Sequence, residues 1–276
     1  MAADFLYGTS SWTAKGWERA FYPPGMKPGE YLRHYATRFR TVECDATWYA
    51  VPGPLLVRGW VHKTHDGFRL AAKFPRSIVH GGEAARPDPD RILRREDGDD
   101  TGRFLDAMRF LGTRCGPLVL QFPFFNKGAF KGPEPFLDRL DAYLATLPDG
   151  FRWAVEVRNA DWIAPPLLEV LRRHGAALVL VDLAYMPHPA DLAERLDPVT
   201  ADFAYLRLIG DRAAVEAKTK VFDRTVLDQG PRLARHATLI KGLLARDIEV
   251  HAFANNHYAG YAPETIEALA AAVRLG

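Results

Sequence analysis

The stretch FRWAVEV, at Phe151 to Val157, is followed by PPLLEVLRR at Pro165 to Arg173 and by ALVLVD at Ala177 to Asp182. The first and third segments are short apolar runs rich in β-forming residues, and we predict a helix between them. Strands joined in this way pair in parallel, because a parallel neighbour is reached only through a crossover connection. The stretch therefore predicts one strand–helix–strand unit of a parallel sheet.

The same alternation continues in both directions along the chain. Six further strands are predicted at Phe5 to Thr9, Thr41 to Asp45, Phe68 to Phe74, Pro117 to Phe122, Phe203 to Ile209 and Glu249 to Ala254. Helices are predicted at Tyr31 to Phe39, Leu55 to His62, Phe104 to Leu111, Glu134 to Leu147, Pro189 to Leu196, Pro231 to Arg246 and Pro263 to Leu275, with an exposed loop at Gly81 to Gly102. Eight such units in 276 residues predict an α/β fold, a single TIM-type (β/α)8 barrel over residues 1–276.

Composition narrows the classes of function. A formal net charge of +2 does not indicate a nucleic-acid partner, although the loop from Lys127 to Lys131 offers a small basic patch. Only Cys44 and Cys115 are present, and no apolar run reaches the length of a membrane span, so we expect a cytoplasmic protein. The residues from Gly8 to Trp12 lack the glycine spacing of a dinucleotide site, and the sequence leaves any cofactor unidentified.

Polar side chains stand at the ends of the predicted strands. In chain order they are Thr9 and Ser10, Glu43 with Asp45, Lys73, Gln121, Glu156 with Arg158, Asp182, Arg207, and Asn255 with Asn256. The carboxyl ends of the strands form the mouth of such a barrel, where catalytic groups lie. The alternative to a catalytic role is a structural one, in which these residues form ion pairs that only close the top of the barrel.

These strand ends belong to longer motifs that resemble the YecE-like family, also called domain of unknown function 72 (DUF72). The motifs are YGTSSW from Tyr7, FYPPG from Phe21, TVECDATWY from Thr41, FRLAAKFPRSIVH from Phe68, GPLVLQFP from Gly116, WAVEVRNADW from Trp153, FAYLRLIG from Phe203 and FANNHYAGYAP from Phe253. The resemblance covers nearly the whole chain and implies a β/α barrel without implying one particular reaction.

Two positions depart from the family pattern. The second strand of the family usually ends in a Glu-x-Asn sequence, whereas Asp45 here supplies a carboxylate. The seventh strand usually ends in His-Gly, whereas Ile209 here precedes Gly210 and removes an imidazole from the mouth. A mechanism that needs that histidine is therefore not expected of this chain.

The charged residues at the strand ends suggest acid/base chemistry on an anion. Glu43 and Glu156 are candidates for proton transfer, including glycoside chemistry, and Lys73 and Asp182 are further candidate catalytic residues. Lys73 also suggests Schiff-base chemistry, but nearby carboxylates would keep it protonated. Three cations, Lys73, Arg158 and Arg207, favour a phosphate or carboxylate ligand.

Amide and aromatic side chains complete the expected substrate-binding set, which includes Gln121, Asn255, Asn256, His257, Trp12, Tyr49 and Tyr258. His80 is expected on a loop or at the surface.

The leading hypothesis is an enzyme that acts on a small phosphorylated or sugar-like anion. A non-catalytic module that binds the same class of ligand is one alternative. A metal-dependent phosphoester or nucleic-acid hydrolase is the other, with Glu43, Glu156, Asp182 and His257 as ligands. The interspersed lysine and arginine oppose a metal, and no metal site is assigned.

Overall fold

Eight parallel strands alternate with helices around a barrel in the computed structural model, which describes residues 3–82, 84, 86–95 and 99–275. The strands are β1 (Phe5–Thr9), β2 (Thr41–Cys44), β3 (Arg69–Lys73), β4 (Cys115–Gln121), β5 (Trp153–Glu156), β6 (Ala177–Leu183), β7 (Phe203–Gly210) and β8 (Glu249–Ala254). Their order in the sheet is β1-β8-β7-β6-β5-β4-β3-β2, so consecutive strands from β2 to β8 pair with each other and β1 pairs with β8. The predicted (β/α)8 barrel is confirmed.

The helices form the outer layer. They are α1 (Trp17–Ala20), α2 (Tyr31–Tyr35), α3 (Ala46–Tyr49), α4 (Pro54–Lys63), α5 (Arg76–Val79), α6 (Asp100–Arg109), α7 (Glu134–Leu144), α8 (Pro165–Arg173), α9 (Pro189–Arg195), α10 (Arg212–Glu216), α11 (Gly230–Leu244), α12 (Asn256–Ala259) and α13 (Ala262–Arg274). Each of the eight predicted helices is present, and the short helices α1, α3, α5, α10 and α12 were not predicted. Residues 83, 85 and 96–98 of the predicted Gly81 to Gly102 loop lie outside the described residues.

The helix α8 shows why these segments form where they do. It begins with prolines at its first turn, where a missing N–H costs no helical hydrogen bond. Leu167, Leu168 and Leu171 are buried on one face, and burial of each contributes about 2 kcal/mol. No helix among the described residues is long and apolar enough to cross a membrane.

The interior of the barrel is packed with side chains of unequal size. Ala71, Ala154 and Ala177 leave space that the rings of Phe203 and Phe253 fill. Small and large residues from different strands fill such a barrel in layers, so its centre is a core and not a channel. The next inward-facing side chains toward the carboxyl ends of the strands therefore lie on top of this core, at the mouth of the barrel.

The seam between β1 and β2 closes the barrel through few contacts. Ser10 and Glu43 form an isolated parallel bridge, and the Ser11 N–H donates to the Glu43 carbonyl oxygen at 2.7 Å. The Tyr35 hydroxyl of α2 accepts from the Thr9 N–H at 2.8 Å and donates to the Thr41 carbonyl oxygen at 3.2 Å. A buried hydroxyl thus bridges backbone groups of the two strands.

Candidate active site

A buried arginine organises the floor of the mouth. Arg207 of β7 donates from Nε and Nη2 to Glu43 Oε1 at 3.2 and 2.9 Å, and from Nη1 to Glu156 and to Gln121 Oε1, the latter at 2.7 Å. Burial alone lowers the pKa of Arg207, but the attraction of Glu156 and Glu43 outweighs it and raises the pKa well above its ordinary value. The guanidinium therefore stays charged and bridges β2, β4 and β5.

Both carboxylates predicted to transfer protons are sealed beneath the mouth. Glu43 and Glu156 have side chains that are 0% exposed. Glu43 Oε2 accepts from the Tyr205 hydroxyl at 2.7 Å, and Glu156 Oε1 accepts from Arg158 Nε at 2.9 Å. Both oxygens of each carboxylate are thus already bonded within the protein.

Charge pairing keeps Glu156 ionised. Burial by itself raises the pKa of Glu156, but the attraction of Arg207 and Arg158 is stronger and holds that pKa below its ordinary value. A carboxylate in this state does not donate a proton near neutral pH.

Lys73 of β3 links this floor to a third carboxylate. Its Nζ lies 2.5 Å from Asp45 Oδ1 and 3.6 Å from Glu43 Oε1. Burial raises the pKa of Asp45, but Lys73 and Arg207 outweigh burial and lower it. The side chain of Asp45 is 32% exposed, whereas those of Glu43 and Glu156 are sealed. We call the balanced set of three carboxylates and three cations the ion network; its members are Glu43, Asp45, Glu156, Lys73, Arg158 and Arg207.

An open pocket of about 460 Å³ lies directly above the ion network. This volume suits a small-molecule ligand. Seven of the residues predicted to form the site line it: Tyr49, Lys73, Gln121, Arg158, Arg207, Asn255 and His257. These seven are just over half of the thirteen residues that line the pocket.

Six lining residues were not predicted as site residues, namely Asp45, Trp48, His80, Pro123, Ile209 and Arg212. Asp45 had a usable signal, since it lies two residues after Glu43 on the same face of the strand. His80, expected on a loop or at the surface, immediately follows α5 and lies in the pocket wall. Nothing in its local sequence indicates this position, which depends on where the segment after β3 lies in the assembled barrel.

Two histidines on the pocket wall have different surroundings. Burial, with Arg158 and Arg76 adding to it, lowers the pKa of His80 to about 4. His257 lies with Nδ1 3.0 Å from Asn255 Oδ1 and with Nε2 3.2 Å from Glu216 Oε1. Burial and the nearby Arg212 lower the pKa of His257. The imidazole of His80 is therefore predominantly neutral at pH 7.

Asp182 does not join the other predicted catalytic residues. Val181 pairs with Arg207 and shares its inward face, so Asp182 points outward toward the helices. There it accepts from Tyr258 Oη at 2.9 Å, lies 2.8 Å from His236 Nε2, and pairs with Arg232. The prediction that Asp182 lies at the mouth is wrong, because the alternation of side chains along β6 places it on the outer face of the barrel.

Three other predicted site residues lie outside the pocket lining. Tyr258 is buried against Asp182, and Trp12 packs edge-on against Trp60 with ring centroids 6.0 Å apart. Asn256 Oδ1 accepts from Trp17 Nε1 at 3.2 Å and from the Ala262 N–H at 3.0 Å. Asn256 and Tyr258 thus hold α12, the short helix after β8, in place, whereas Trp12 packs against α4.

On the outer face of β6, His188 and His236 lie close to Asp182. One potential metal-ligand atom from each of the three residues lies within 4.8 Å of the other two. His188 Nδ1 accepts from the Ala190 N–H at 3.1 Å, which places the proton of the neutral ring on Nε2, the atom that faces Asp182. A metal needs that nitrogen unprotonated, and Arg232 already pairs with the carboxylate. This donor set fits a hydrogen-bonded tether between β6 and α11 better than a metal centre.

Fold and mouth together define a (β/α)8 barrel with an ion-paired polar pocket at the carboxyl ends of its strands. Residues 6–276 match the family described as protein of unknown function DUF72, and the chain belongs to that family. It is 34% identical over 197 residues to the UPF0759 protein YecE of Escherichia coli K12, a match that covers 65% of this chain and 66% of YecE. The chain thus spans just under two thirds of the length of that relative.

Solved structures of the same family agree with the fold. A DUF72 family protein of Enterococcus faecalis V583 is similar with a TM-score of 0.70 at 20% identity, covering 99% of this chain and 96% of that protein. A DUF72 family protein of Thermotoga maritima MSB8 is similar with a TM-score of 0.69 at 24% identity, covering 99% of both chains. At these identities the likeness concerns the fold alone.

Proposed function

We propose that this protein is an enzyme that acts on a small anionic substrate, phosphorylated or sugar-like, by carboxylate acid/base chemistry at the mouth of the barrel. The observation that carries the proposal is the pocket of about 460 Å³ above the ion network, lined by Lys73, Arg158 and Arg207. Fixed cations close to a reactive carboxylate hold an anionic substrate and stabilise charge that develops during a reaction.

Within this proposal the proton-transfer role passes from Glu43 and Glu156 to Asp45. Asp45 lines the pocket, whereas the other two carboxylates are sealed and bonded to Arg207. Ionised Asp45 accepts a proton from a substrate hydroxyl, and the Lys73 ammonium beside it stabilises the oxyanion that forms. Glu43 and Glu156 hold Lys73, Arg158 and Arg207 in position through ion pairs.

A metabolite screen with matched variants tests this proposal. The wild-type protein is incubated with phosphorylated sugars and sugar acids, and turnover is compared with that of Asp45→Asn, Lys73→Met and the control Asp66→Asn. Asp66 is 94% exposed and pairs with Arg114 on the surface. We expect a loss of kcat of at least about 100-fold for Asp45→Asn, because a positioned base contributes about that much or more, and no loss for the control. Unchanged turnover in Asp45→Asn, with the same melting temperature, would refute the assignment.

A non-catalytic binding module is the second candidate, favoured by one observation. All three carboxylates of the ion network are paired with lysine or arginine, which leaves none of them as a free base in the ligand-free protein. This function predicts that a ligand which raises the melting temperature is recovered unaltered after prolonged incubation. Chemical conversion of that ligand would exclude the function of a non-catalytic binding module.

A further inference from the structure

We infer that the ends of β3, β4 and β5 form a phosphoryl subsite, made of Lys73, His80, Gln121 and Arg158, which holds the phosphate of a phosphomonoester. The inference rests on the proposed function, since it assigns the anionic part of that substrate to one side of the pocket. All four side chains line the same cavity.

Arg158 offers the main binding group. Its Nε donates to Glu156 Oε1 at 2.9 Å, and its side chain is 25% exposed. Among the described residues, none accepts a hydrogen bond from its two terminal nitrogens. The guanidinium is thus oriented from behind by a buried carboxylate while its outer edge lies in the pocket, an arrangement that suits two oxygens of one anion.

Gln121 adds a donor whose orientation is fixed. Its Oε1 accepts from Arg207 Nη1 at 2.7 Å, and a guanidinium can only donate, so the side-chain nitrogen must be the other atom of the amide. Within the described part of the chain that nitrogen has no acceptor. Gln121 pairs in register with Glu156, which places it on the strand beside the one that carries Arg158.

Lys73 supplies a second cation from the next strand. It pairs in register with Val119, two residues before Gln121, so both side chains point into the barrel from neighbouring strands. Its ammonium carries three protons, and Asp45 and Glu43 lie at 2.5 and 3.6 Å. Within the described residues these are its two ion-pair partners, which leaves one N–H for a ligand.

The electrostatic surroundings of His80 support an anion at this place. Besides burial, Arg158 and Arg76 are the charged groups that lower its pKa, and Arg76 also lies 5.7 Å from the centre of the Trp48 ring. Arg158 thus acts on the part of the pocket wall where His80 lies, and it attracts an anion placed there.

The number and directions of the donors favour a phosphoryl group over a carboxylate. The donors come from the ends of three adjacent strands and from the residue after α5, and a phosphomonoester offers three terminal oxygens to them. A carboxylate has two oxygens in a plane with its carbon and leaves part of this set unbonded, which costs affinity.

Calorimetric titration with inorganic phosphate tests the subsite without requiring turnover. We expect Arg158→Gln to weaken phosphate binding by about 10- to 100-fold, the effect of losing hydrogen bonds from a charged group. Arg158→Lys should recover part of that loss, since it restores the charge without the forked geometry. Arg33→Gln, at an exposed arginine that pairs with Glu30, is the control and should bind as the wild type does. Acetate should bind at least 10-fold more weakly than phosphate.

Several outcomes would overturn the inference. They are undetectable phosphate binding to the folded wild-type protein, equal binding of phosphate and acetate, and a loss caused by Arg212→Gln but not by Arg158→Gln. The last result would move the anion to the side of the pocket formed after β7. Phosphate binding without turnover in the metabolite screen would refute the proposed enzymatic function and leave the subsite intact. Turnover of unphosphorylated sugar acids without phosphate binding would refute the phosphoryl subsite and leave the proposed enzymatic function intact.

Discussion

Replacement of Arg207 by methionine is expected to lower the free energy of unfolding by about 4 kcal/mol at pH 7. The guanidinium is 2% exposed and bonds to two carboxylates that are 0% exposed, so its removal leaves two buried anions without their main partner. Loss of one partner from a buried pair costs about 3–5 kcal/mol, and here Lys73 and Arg158 still compensate part of the charge. The cost is a large share of the total stability of an ordinary domain, which is about 5–15 kcal/mol.

Urea denaturation followed by circular dichroism measures this effect, and the variant Arg207→Met with Glu43→Gln and Glu156→Gln is its matched control. Neutral amides should recover at least half of the lost stability, because the buried negative charge is gone. In Arg207→Met alone burial raises the carboxylate pKa values, so its deficit relative to wild type should shrink as the pH falls from 7 to 5. A loss below about 1 kcal/mol, or a triple variant no more stable than the single one, would refute the account of a charge-balanced floor.

Three further predictions concern the fold around the site. Asp182→Asn should lower the free energy of unfolding measured by urea denaturation by about 3 kcal/mol, since Asp182 is 1% exposed and binds Arg232. Asp191→Asn, at an exposed aspartate, is the control and should leave the unfolding midpoint near that of wild type. Burial, together with the charge of a neighbouring histidine, lowers the pKa of His188 to about 4. The unfolded chain therefore binds a proton at this residue between about pH 6.5 and 4 that the folded chain does not, and stability falls as the pH decreases through that window. His188→Gln should flatten this pH dependence, and an unchanged slope would contradict the assignment. Gly8→Ala should cost at least about 3 kcal/mol, because the added Cβ would lie 2.1 Å from the Thr41 carbonyl oxygen across the β1–β2 seam; a melting temperature equal to that of wild type would show that the seam can move.

The sequence by itself determined the barrel. Apolar runs that alternate with helical segments permit only parallel pairing, and eight of them in one chain close into a barrel. The predicted helix at Pro165 to Arg173 has the bounds of α8, and the predicted strands at Phe5 to Thr9 and Glu249 to Ala254 have those of β1 and β8. The remaining predicted elements differ from the observed ones by a few residues at their ends. Short helices such as α5 and α12 were missed, because four residues carry too little periodicity to be recognised.

The sequence also determined which chemical groups reach the mouth, but only the tertiary structure decided what each of them can do. A shift of one residue along β6 separates Val181, which faces Arg207, from Asp182, which faces the helices, and the end of a strand does not reveal which face its last residue takes. Glu43 and Asp45 lie on the same strand end, yet one is sealed under Arg207 and the other reaches the pocket. That difference arises from the height of each side chain in the barrel and from a guanidinium supplied by a strand more than 150 residues away in the chain. Burial and pairing fix the protonation state of a carboxylate, and both are properties of the assembled barrel that no single strand contains.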